Sequence, residues 1–199
     1  MYGCAWSPHN GDLLATACGD GHLRLYDMRA SSVATGGAGG MPSQAPVAVV
    51  PVGGEVLSLD WNKYRPMTLA TGSTDRGVKV WDLRRAGKAA AATAEAPGAQ
   101  NTALLLGHEY AVRKVAFSPH DAHLLASASY DMTARIWDMD AGAAMAAGPR
   151  VGMAAAGGGA MRAMHNAHTE FVVSVGWSLF TPGLIASCAW DCETHLWYA

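Results

Sequence analysis

Residues 125–138 of the chain read LASASYDMTARIWD, and the pattern of this stretch occurs four times along the sequence. A short apolar segment leads into a turn that contains an Asp, and a second segment alternates apolar and polar residues. This pattern predicts two antiparallel strands joined by a tight turn. An aromatic residue lies fourteen positions before each Asp, and another lies six positions after it. The four sets are Trp6/Asp20/Tyr26, Trp61/Asp75/Trp81, Phe117/Asp131/Trp137 and Trp177/Asp191/Trp197.

The spacing inside each set is constant, whereas the distance between sets varies. The Asp residues of successive sets are 55, 56 and 60 positions apart, so the insertions fall outside the constant spacing of each unit. A supersecondary unit copied at such a period predicts a repeat protein rather than a single globular core. We expect a single repeat region over 1–199, with repeats at approximately 1–30, 47–85, 101–140 and 165–199. The loops 31–46, 86–100 and 141–164 between them are rich in Ala and Gly, a composition typical of flexible segments.

Two of the units contain a His 23 positions before the Asp, namely His108 and His168. With Gly107-His108 at the start of one unit and Trp81-Asp82 and Trp137-Asp138 at the ends of two units, the sequence resembles the WD repeat. The resemblance implies an all-β propeller whose blades are four-stranded antiparallel sheets. It also implies buried tetrads in which the His bonds to the turn Asp and to a strand hydroxyl, which in turn bonds to the Trp. The complete tetrads are His108/Ser127/Asp131/Trp137 and His168/Ser187/Asp191/Trp197.

A structural role for these His–Asp pairs is favoured over a catalytic one, because the same pair occurs in two units. Removing one partner from such a buried network leaves the others without water or a replacement. The second unit has Val52 where the His is expected, and the first unit begins too late to contain one. We therefore expect the first two blades to be the less stable ones. No nucleophile, base and oxyanion set is present, so the sequence does not indicate an enzyme.

The length of the chain predicts an incomplete ring. WD repeats usually close into seven blades, which at this spacing need roughly 300 residues or more, and the chain has 199. It begins in the innermost strand of the first unit and ends after the third strand of the fourth. We interpret it as four blades of a seven-bladed propeller, from the C-terminal part of a longer protein.

Composition excludes several other classes of protein. The net charge of −2 disfavours a nucleic-acid surface. No segment has the length and apolarity of a membrane span or the pattern of a secretory signal, and the four cysteines are expected to be reduced. A zinc site at Cys188, Cys192 and His195 is disfavoured because other units have Ala, Gly or Met at the cysteine positions. The Gly-rich run 36–40 lacks the strand-to-helix context of a phosphate loop, so no cofactor is predicted.

The rim that carries the Asp turns is the predicted docking surface. Its side chains are those just before each Asp and those three and five positions after each His. They include the aromatic residues Tyr130, Phe171 and Trp190, together with Glu55, Leu57 and Arg113. Such a surface suits a peptide with one cation and several apolar side chains. The alternative is that Tyr130 and Trp190 only cap their own blades, and the residues do not decide between the two.

Several longer stretches are similar to the receptor family for the type-2 peroxisomal targeting signal. They include Leu59-Asp60-Trp61-Asn62-Lys63-Tyr64, Gly107-His108-Glu109-Tyr110-Ala111-Val112-Arg113 and His168-Thr169-Glu170-Phe171. The resemblance implies a cargo receptor that binds an N-terminal peptide of the form Arg-Leu-x5-His-Leu and carries matrix proteins from the cytosol to the peroxisome with a co-receptor. By this resemblance Glu55 contacts the cargo cation. The alternative function is a WD-repeat scaffold in another complex, such as a ligase adaptor or a chromatin module.

Overall fold

The computed structural model describes residues 1–29, 45–84, 100–141 and 160–199. These residues form fifteen strands in four antiparallel sheets, which we call blades 1 to 4 in chain order. Blade 1 contains β1 (Gly3–Trp6), β2 (Leu13–Ala17), β3 (His22–Asp27) and β4 (Ala48–Pro51). Blade 2 contains β5 (Val56–Trp61), β6 (Thr68–Ser73), β7 (Val78–Asp82) and β8 (Gln100–Leu105). Blade 3 contains β9 (Val112–Phe117), β10 (Leu124–Ser129), β11 (Ala134–Asp138) and β12 (Ala160–His165). Blade 4 contains β13 (Val172–Trp177), β14 (Leu184–Ala189) and β15 (Thr194–Tyr198).

Each blade is a meander in which consecutive strands are neighbours, and the sheet of blade 4 has three strands among the described residues. The architecture confirms the prediction of an all-β WD-type propeller that is present as an open, incomplete arc.

Strand register explains why the aromatic spacing is constant. In blade 3, Phe117 and Trp137 are both aligned with Leu125, one from each side of β10. Blade 2 repeats this arrangement with Trp61 and Trp81 on either side of Leu69. Because an insertion within a strand or turn would shift one aromatic residue off this aliphatic position, the spacing tolerates no change. The insertions therefore lie beyond the third strand of each blade.

The turn between the second and third strands has the same backbone conformation in all four blades. The residue after the Asp has a left-handed backbone: φ is 80° at Gly21, 69° at Arg76, 65° at Met132 and 65° at Cys192. In each turn the Asp side chain accepts a hydrogen bond from the backbone N–H two residues later. This side-chain bond fixes the turn, so that a non-glycine residue can occupy the left-handed position in three of the four blades.

The core lies between the blades in three apolar layers. One layer joins blades 1 and 2, the next joins blades 2 and 3, and the third joins blades 3 and 4. Leu69 and Leu125 are fully buried, and burial of a leucine side chain contributes about 1.5–3 kcal/mol. Hydrogen bonds accompany this packing, since the indole of Trp61 donates to the carbonyl of Ala5 and that of Trp177 to the carbonyl of Ala116. Each blade is thus stabilised chiefly by its neighbours.

The outer strands are the elements whose positions were predicted least accurately from the sequence. The predicted loop 141–164 is wrong at its C-terminal end, because Ala160–His165 forms β12 and pairs with β11. Its alanines and methionines lack the alternation of β-branched residues that marks a strand, and pairing with a preformed edge determines its conformation. The loop 86–100 is one residue too long, since β8 begins at Gln100. Most of the three predicted loops lies outside the described residues.

All four cysteines are free thiols in the structure. In the described part of the chain, no helix has both the length and the apolarity that a transmembrane crossing requires.

Candidate functional site

Blades 3 and 4 each contain a continuous chain of hydrogen bonds between the four residues of the tetrad. In blade 3, His108 Nδ1 lies 2.8 Å from Asp131 Oδ2, and its Nε2 lies 2.7 Å from Ser127 Oγ. The indole N–H of Trp137 donates to the same Ser127 Oγ at 2.7 Å. The tetrad of blade 4 has the corresponding distances of 2.9, 2.9 and 3.2 Å. The structure therefore brings together all eight residues of the two tetrads.

Both tetrad histidines are fully committed to these bonds. Because a carboxylate only accepts hydrogen bonds, His108 donates from Nδ1 to Asp131, and its bare Nε2 accepts from the Ser127 hydroxyl. The side chains of His108 and His168 are 0% exposed, so no position for a substrate lies beside either imidazole. Every buried side-chain nitrogen and oxygen in the described ranges has a partner. This arrangement favours a structural role over a catalytic one.

The environment of Asp131 stabilises its charged form. Burial alone would raise the pKa of Asp131, but hydrogen bonds from His108 and Thr133 and the backbone N–H of Glu109 outweigh it. The net result is a pKa well below the ordinary value for Asp. The carboxylate is thus ionised over the whole physiological pH range and serves as a fixed acceptor for the turn.

In blade 2, which has Val52 at the His position, the Asp of the turn is bonded to a lysine from the third strand of the same blade. Lys79 Nζ donates to the carboxylate of Asp75 and to the backbone carbonyl of Val52, the residue at the expected His position. The indole of Trp81 donates to Thr71 Oγ1 at 2.9 Å, so the second half of the tetrad is retained. The Lys79 side chain is 14% exposed, which places this ion pair largely inside the blade.

Blade 1 uses an arginine in the equivalent position. The guanidinium of Arg24 bonds to both carboxylate oxygens of Asp20 and is the main reason that the pKa of Asp20 falls to about 2. Asp20 is half-exposed, in contrast to the nearly buried Asp131. The sequence shows Val52 at the His position of blade 2, but it does not show that Lys79 and Arg24 bond to the Asp of their own blade.

The turn rim is the edge formed by the four Asp turns and by the segments that precede β1, β5, β9 and β13. Its polar part centres on Glu55, whose Oε2 accepts a hydrogen bond from the Tyr2 hydroxyl at 3.1 Å. That bond, followed by the negative charge of Glu55, raises the pKa of Tyr2. The backbone of Glu55 is held by Thr74, which accepts from its N–H and donates to its carbonyl. Glu55 thus has a fixed position and an exposed carboxylate.

A cleft with a volume of about 470 Å³ opens beside this carboxylate, between blades 1 and 2. Its walls are the Asp20 turn, Pro51, the pair Gly53 and Gly54, and Glu55 itself. The Glu55 carboxylate on the wall favours a cationic group in the cleft, whereas the Asp20 carboxylate is already paired with Arg24.

The apolar part of the rim is a cluster of three aromatic rings from blades 3 and 4. The centroid of Tyr130 lies 5.1 Å from that of Phe171 and 6.2 Å from that of Trp190, and the Phe171–Trp190 distance is 5.3 Å. The rings are tilted by 35° to 49° to one another, as aromatic pairs prefer. Trp190 remains 61% exposed although it touches both partners. An aromatic surface of this kind is typical of a binding site.

Comparison with known proteins agrees with the fold. The family described as "WD domain, G-beta repeat" matches residues 2–27, 47–82 and 100–138. The peroxisomal targeting signal 2 receptor of Dictyostelium discoideum is 32% identical over 257 residues, covering 92% of this chain and 74% of the relative. The chain belongs to the WD-repeat family, among the peroxisomal targeting signal 2 receptors.

Two yeast relatives of this family align with almost the whole chain. The receptor of Saccharomyces cerevisiae is 34% identical over 206 residues, which cover 99% of this chain and 52% of the relative. That of Komagataella phaffii is 32% identical over 199 residues, covering 99% of this chain and 49% of the relative. The chain therefore spans about half the length of these two yeast receptors.

The residues predicted to line the rim do not all lie together in the structure. Tyr130, Phe171 and Trp190 form one cluster, whereas Glu55 lies beside Tyr2. Arg113 extends over the neighbouring blade and donates to the backbone carbonyl of Leu57 at 3.3 Å. Leu57 itself is only 8% exposed, so it offers little area to a ligand. It occupies a position whose side chain packs inward, which the spacing rule could not distinguish from an outward one.

No group of closely spaced ligand atoms among the described residues contains both cysteines of the disfavoured zinc hypothesis, Cys188 and Cys192. Cys192 is exposed, and its thiol contacts the carbonyl of Trp190. Among the described residues, the one group of side chains with ligand atoms close enough to hold a metal ion consists of His165, His168 and His195, and it includes neither cysteine. The sequence does not indicate this group, because His165 and His195 are 30 residues apart and no spacing within a repeat predicts that they meet.

Proposed function

We propose that the chain is part of a non-catalytic cargo receptor that binds N-terminal type-2 peroxisomal targeting signals and carries matrix proteins from the cytosol to the peroxisome. The observation that carries this proposal is the sequence similarity to proteins named peroxisomal targeting signal 2 receptor over nearly the whole chain. The turn rim supports it with one exposed carboxylate and one aromatic cluster. A co-receptor is the further partner that the proposal requires.

The two parts of the rim match the two kinds of side chain in the signal. In a peptide of the form Arg-Leu-x5-His-Leu, the Arg and the His are seven residues apart and lie on one face of a helix, about 10 Å from each other along its axis. The leucines follow directly, so a helical signal has a stripe that combines cations and apolar side chains. Glu55 would bind the Arg, and the Tyr130/Phe171/Trp190 cluster would contact the leucines.

Glu55 is suited to this role because its charge is available. The described residues give it a hydrogen bond from Tyr2 but no ion pair, unlike Asp20 and Asp75, which are already paired with Arg24 and Lys79. A guanidinium that binds a carboxylate in two-pronged geometry forms a charge-assisted contact, which contributes more than a neutral hydrogen bond. The adjacent cleft leaves room for the long side chain.

Fluorescence anisotropy with a labelled signal peptide tests the proposal. Reversing the charge with Glu55→Arg should weaken binding by tenfold or more, since one tenfold step corresponds to only about 1.4 kcal/mol. Trp190→Ala should weaken it through loss of an exposed aromatic contact. The matched control is Asp12→Arg, which makes the same charge change at the opposite rim, in the β1–β2 loop, and should bind normally.

A second peptide separates a direct contact from a general charge effect. Replacing the peptide's Arg with Glu should abolish binding to the parental chain and restore part of it to the Glu55→Arg variant. Equal binding of the original peptide by the parental chain, Glu55→Arg and Trp190→Ala would reject this site. Failure of the signal peptide to bind, together with capture of a partner from another complex, would favour the alternative function as a general WD-repeat scaffold.

A further inference from the structure

Two histidines face each other across the boundary between blades 3 and 4. His165 is the last residue of β12, and His195 is the second residue of β15; His165 Nε2 lies 2.9 Å from His195 Nδ1. Both rings are held in place, because His165 stacks on Trp197 at 5.1 Å and His195 stacks on His168 at 4.0 Å. The two nitrogens are therefore oriented toward each other by packing on both sides.

The hydrogen bonds of the pair determine which nitrogen carries each proton. His195 Nε2 lies 3.0 Å from the carboxylate of Glu193, which can only accept, so this nitrogen carries the proton. In neutral His195 the Nδ1 atom is then bare, and it accepts the hydrogen bond from His165 Nε2. Burial, together with the neighbouring His195 and His168, lowers the pKa of His165 and favours its neutral form. A bare imidazole nitrogen backed by a carboxylate on its other side is the arrangement in which histidine binds metals.

Blade 3 differs from its sister blades at the position of His165, and blade 4 differs from them at the position of His195. In blades 1 to 3, the residue three positions after the turn Asp pairs with a residue of the outer strand. That outer-strand residue is Val50 in blade 1 and Leu105 in blade 2, and both are buried. In blade 3 the aligned residue is His165. The position four after the Asp is Arg24, Lys79 or Arg135 in blades 1 to 3, and each of these cations bonds to its own Asp. In blade 4 this position is His195, which bonds to His165 and Glu193 instead.

We propose that His165 Nε2 and His195 Nδ1 bind a divalent transition-metal ion of the zinc class that links blade 3 to blade 4. Zinc–nitrogen bonds of about 2.0–2.1 Å in a tetrahedral site place two ligand nitrogens about 3.4 Å apart, so the pair needs to separate by about 0.5 Å. His165 moves its proton from Nε2 to Nδ1, with no net proton release. Glu193 holds the outer nitrogen of His195, and water completes the coordination. His168 is not a ligand, because both of its nitrogens are bonded to Asp191 and Ser187.

The sister blades supply substitutions that remove the ligands and suit the fold. His165→Leu introduces the residue of blade 2, and His195→Arg introduces the residue of blade 3. Calorimetric titration of Zn²⁺ into the chain, with its exposed thiols alkylated, should give one site per chain. Both substitutions should abolish that site, and Glu193→Gln should weaken it by about 10–100-fold. The control His120→Gln, on the opposite rim, should leave it unchanged.

Thermal unfolding provides a second readout that does not depend on heats of binding. Zn²⁺ should raise the Tm of the parental chain by mass action, and neither His165→Leu nor His195→Arg should show this rise. Electron paramagnetic resonance of the Cu²⁺-loaded parental chain requires no substitution and should show coupling to two imidazole nitrogens. The proposal is overturned if the parental chain binds no Zn²⁺, if His165→Leu binds it equally well, or if the Cu²⁺ ligands are oxygen only.

Discussion

Replacing Ser127 with Ala should cost this chain a large part of its stability. The Ser127 hydroxyl is completely buried and serves two partners, since it accepts from Trp137 Nε1 and donates to His108 Nε2. The substitution removes one small oxygen atom and leaves no large cavity. Its effect should therefore come almost entirely from the two polar atoms that lose their partner.

The structure sets the size of the effect. Trp137 is 2% exposed and the side chain of His108 is 0% exposed, so water cannot replace the hydroxyl at either atom. A buried polar group left without a partner costs about 1–3 kcal/mol, which gives about 2–6 kcal/mol for the two. A folded domain typically has only about 5–15 kcal/mol of stability in total.

Urea denaturation followed by circular dichroism measures the loss as a shift in the unfolding midpoint. Thr71→Val in blade 2 is the matched comparison, because the buried Thr71 hydroxyl accepts from one indole only, that of Trp81, and valine preserves the shape. It should cost about 1–3 kcal/mol, less than Ser127→Ala. If Ser127→Ala changed the free energy of unfolding by less than about 0.5 kcal/mol, as an ordinary surface substitution does, the structural account of the tetrad would be refuted.

Three further substitutions test other parts of the account. Lys79→Met removes the cation that bonds to Asp75 and should lower the free energy of unfolding by about 1–3 kcal/mol, whereas an unchanged urea midpoint would show that Asp75 does not need this partner. Asp131 has a lowered pKa in the folded state, so its contribution to stability is complete above the unfolded pKa of about 3.9 and is lost as the pH falls further. Asp131→Asn should therefore reduce the fall of the urea midpoint at acid pH. An unaltered fall would contradict the lowered pKa of Asp131. The lowered pKa of His165 means that the unfolded chain binds more protons below about pH 6.5, so stability should fall there because His165, buried beside His195 and His168, is harder to protonate in the folded chain. A His165→Leu chain with the same slope would exclude His165 as its source.

The features that the sequence revealed are those fixed by geometry repeated in every blade. Phe117, Asp131 and Trp137 keep their spacing because strand register and turn length permit no insertion between them, and the Ser127 hydroxyl follows from the same alignment. The four-residue tetrads are therefore predictable from the sequence. The aromatic identity of Tyr130, Phe171 and Trp190 was equally visible, although their mutual contact depends on how two blades pack.

The features that the sequence did not reveal depend on side-chain direction and on contacts between distant segments. Lys79 reaches Asp75 from the third strand, where the alternation pattern identifies it only as a polar residue. Leu57 obeys the spacing rule for the rim but packs inward. His165 and His195 are 30 residues apart and meet only because β12 lies against the neighbouring blade. No periodicity within a single repeat encodes such a meeting.

Photo-crosslinking would show whether a type-2 signal peptide binds at the turn rim. A signal peptide whose leucines are replaced by a photoreactive analogue would be mixed with the parental chain, irradiated, and the joined residues located by mass spectrometry. We predict crosslinks to Tyr130, Phe171 or Trp190 that are suppressed by excess unlabelled peptide. Crosslinks confined to the opposite rim, or none that the unlabelled peptide suppresses, would contradict binding at the turn rim.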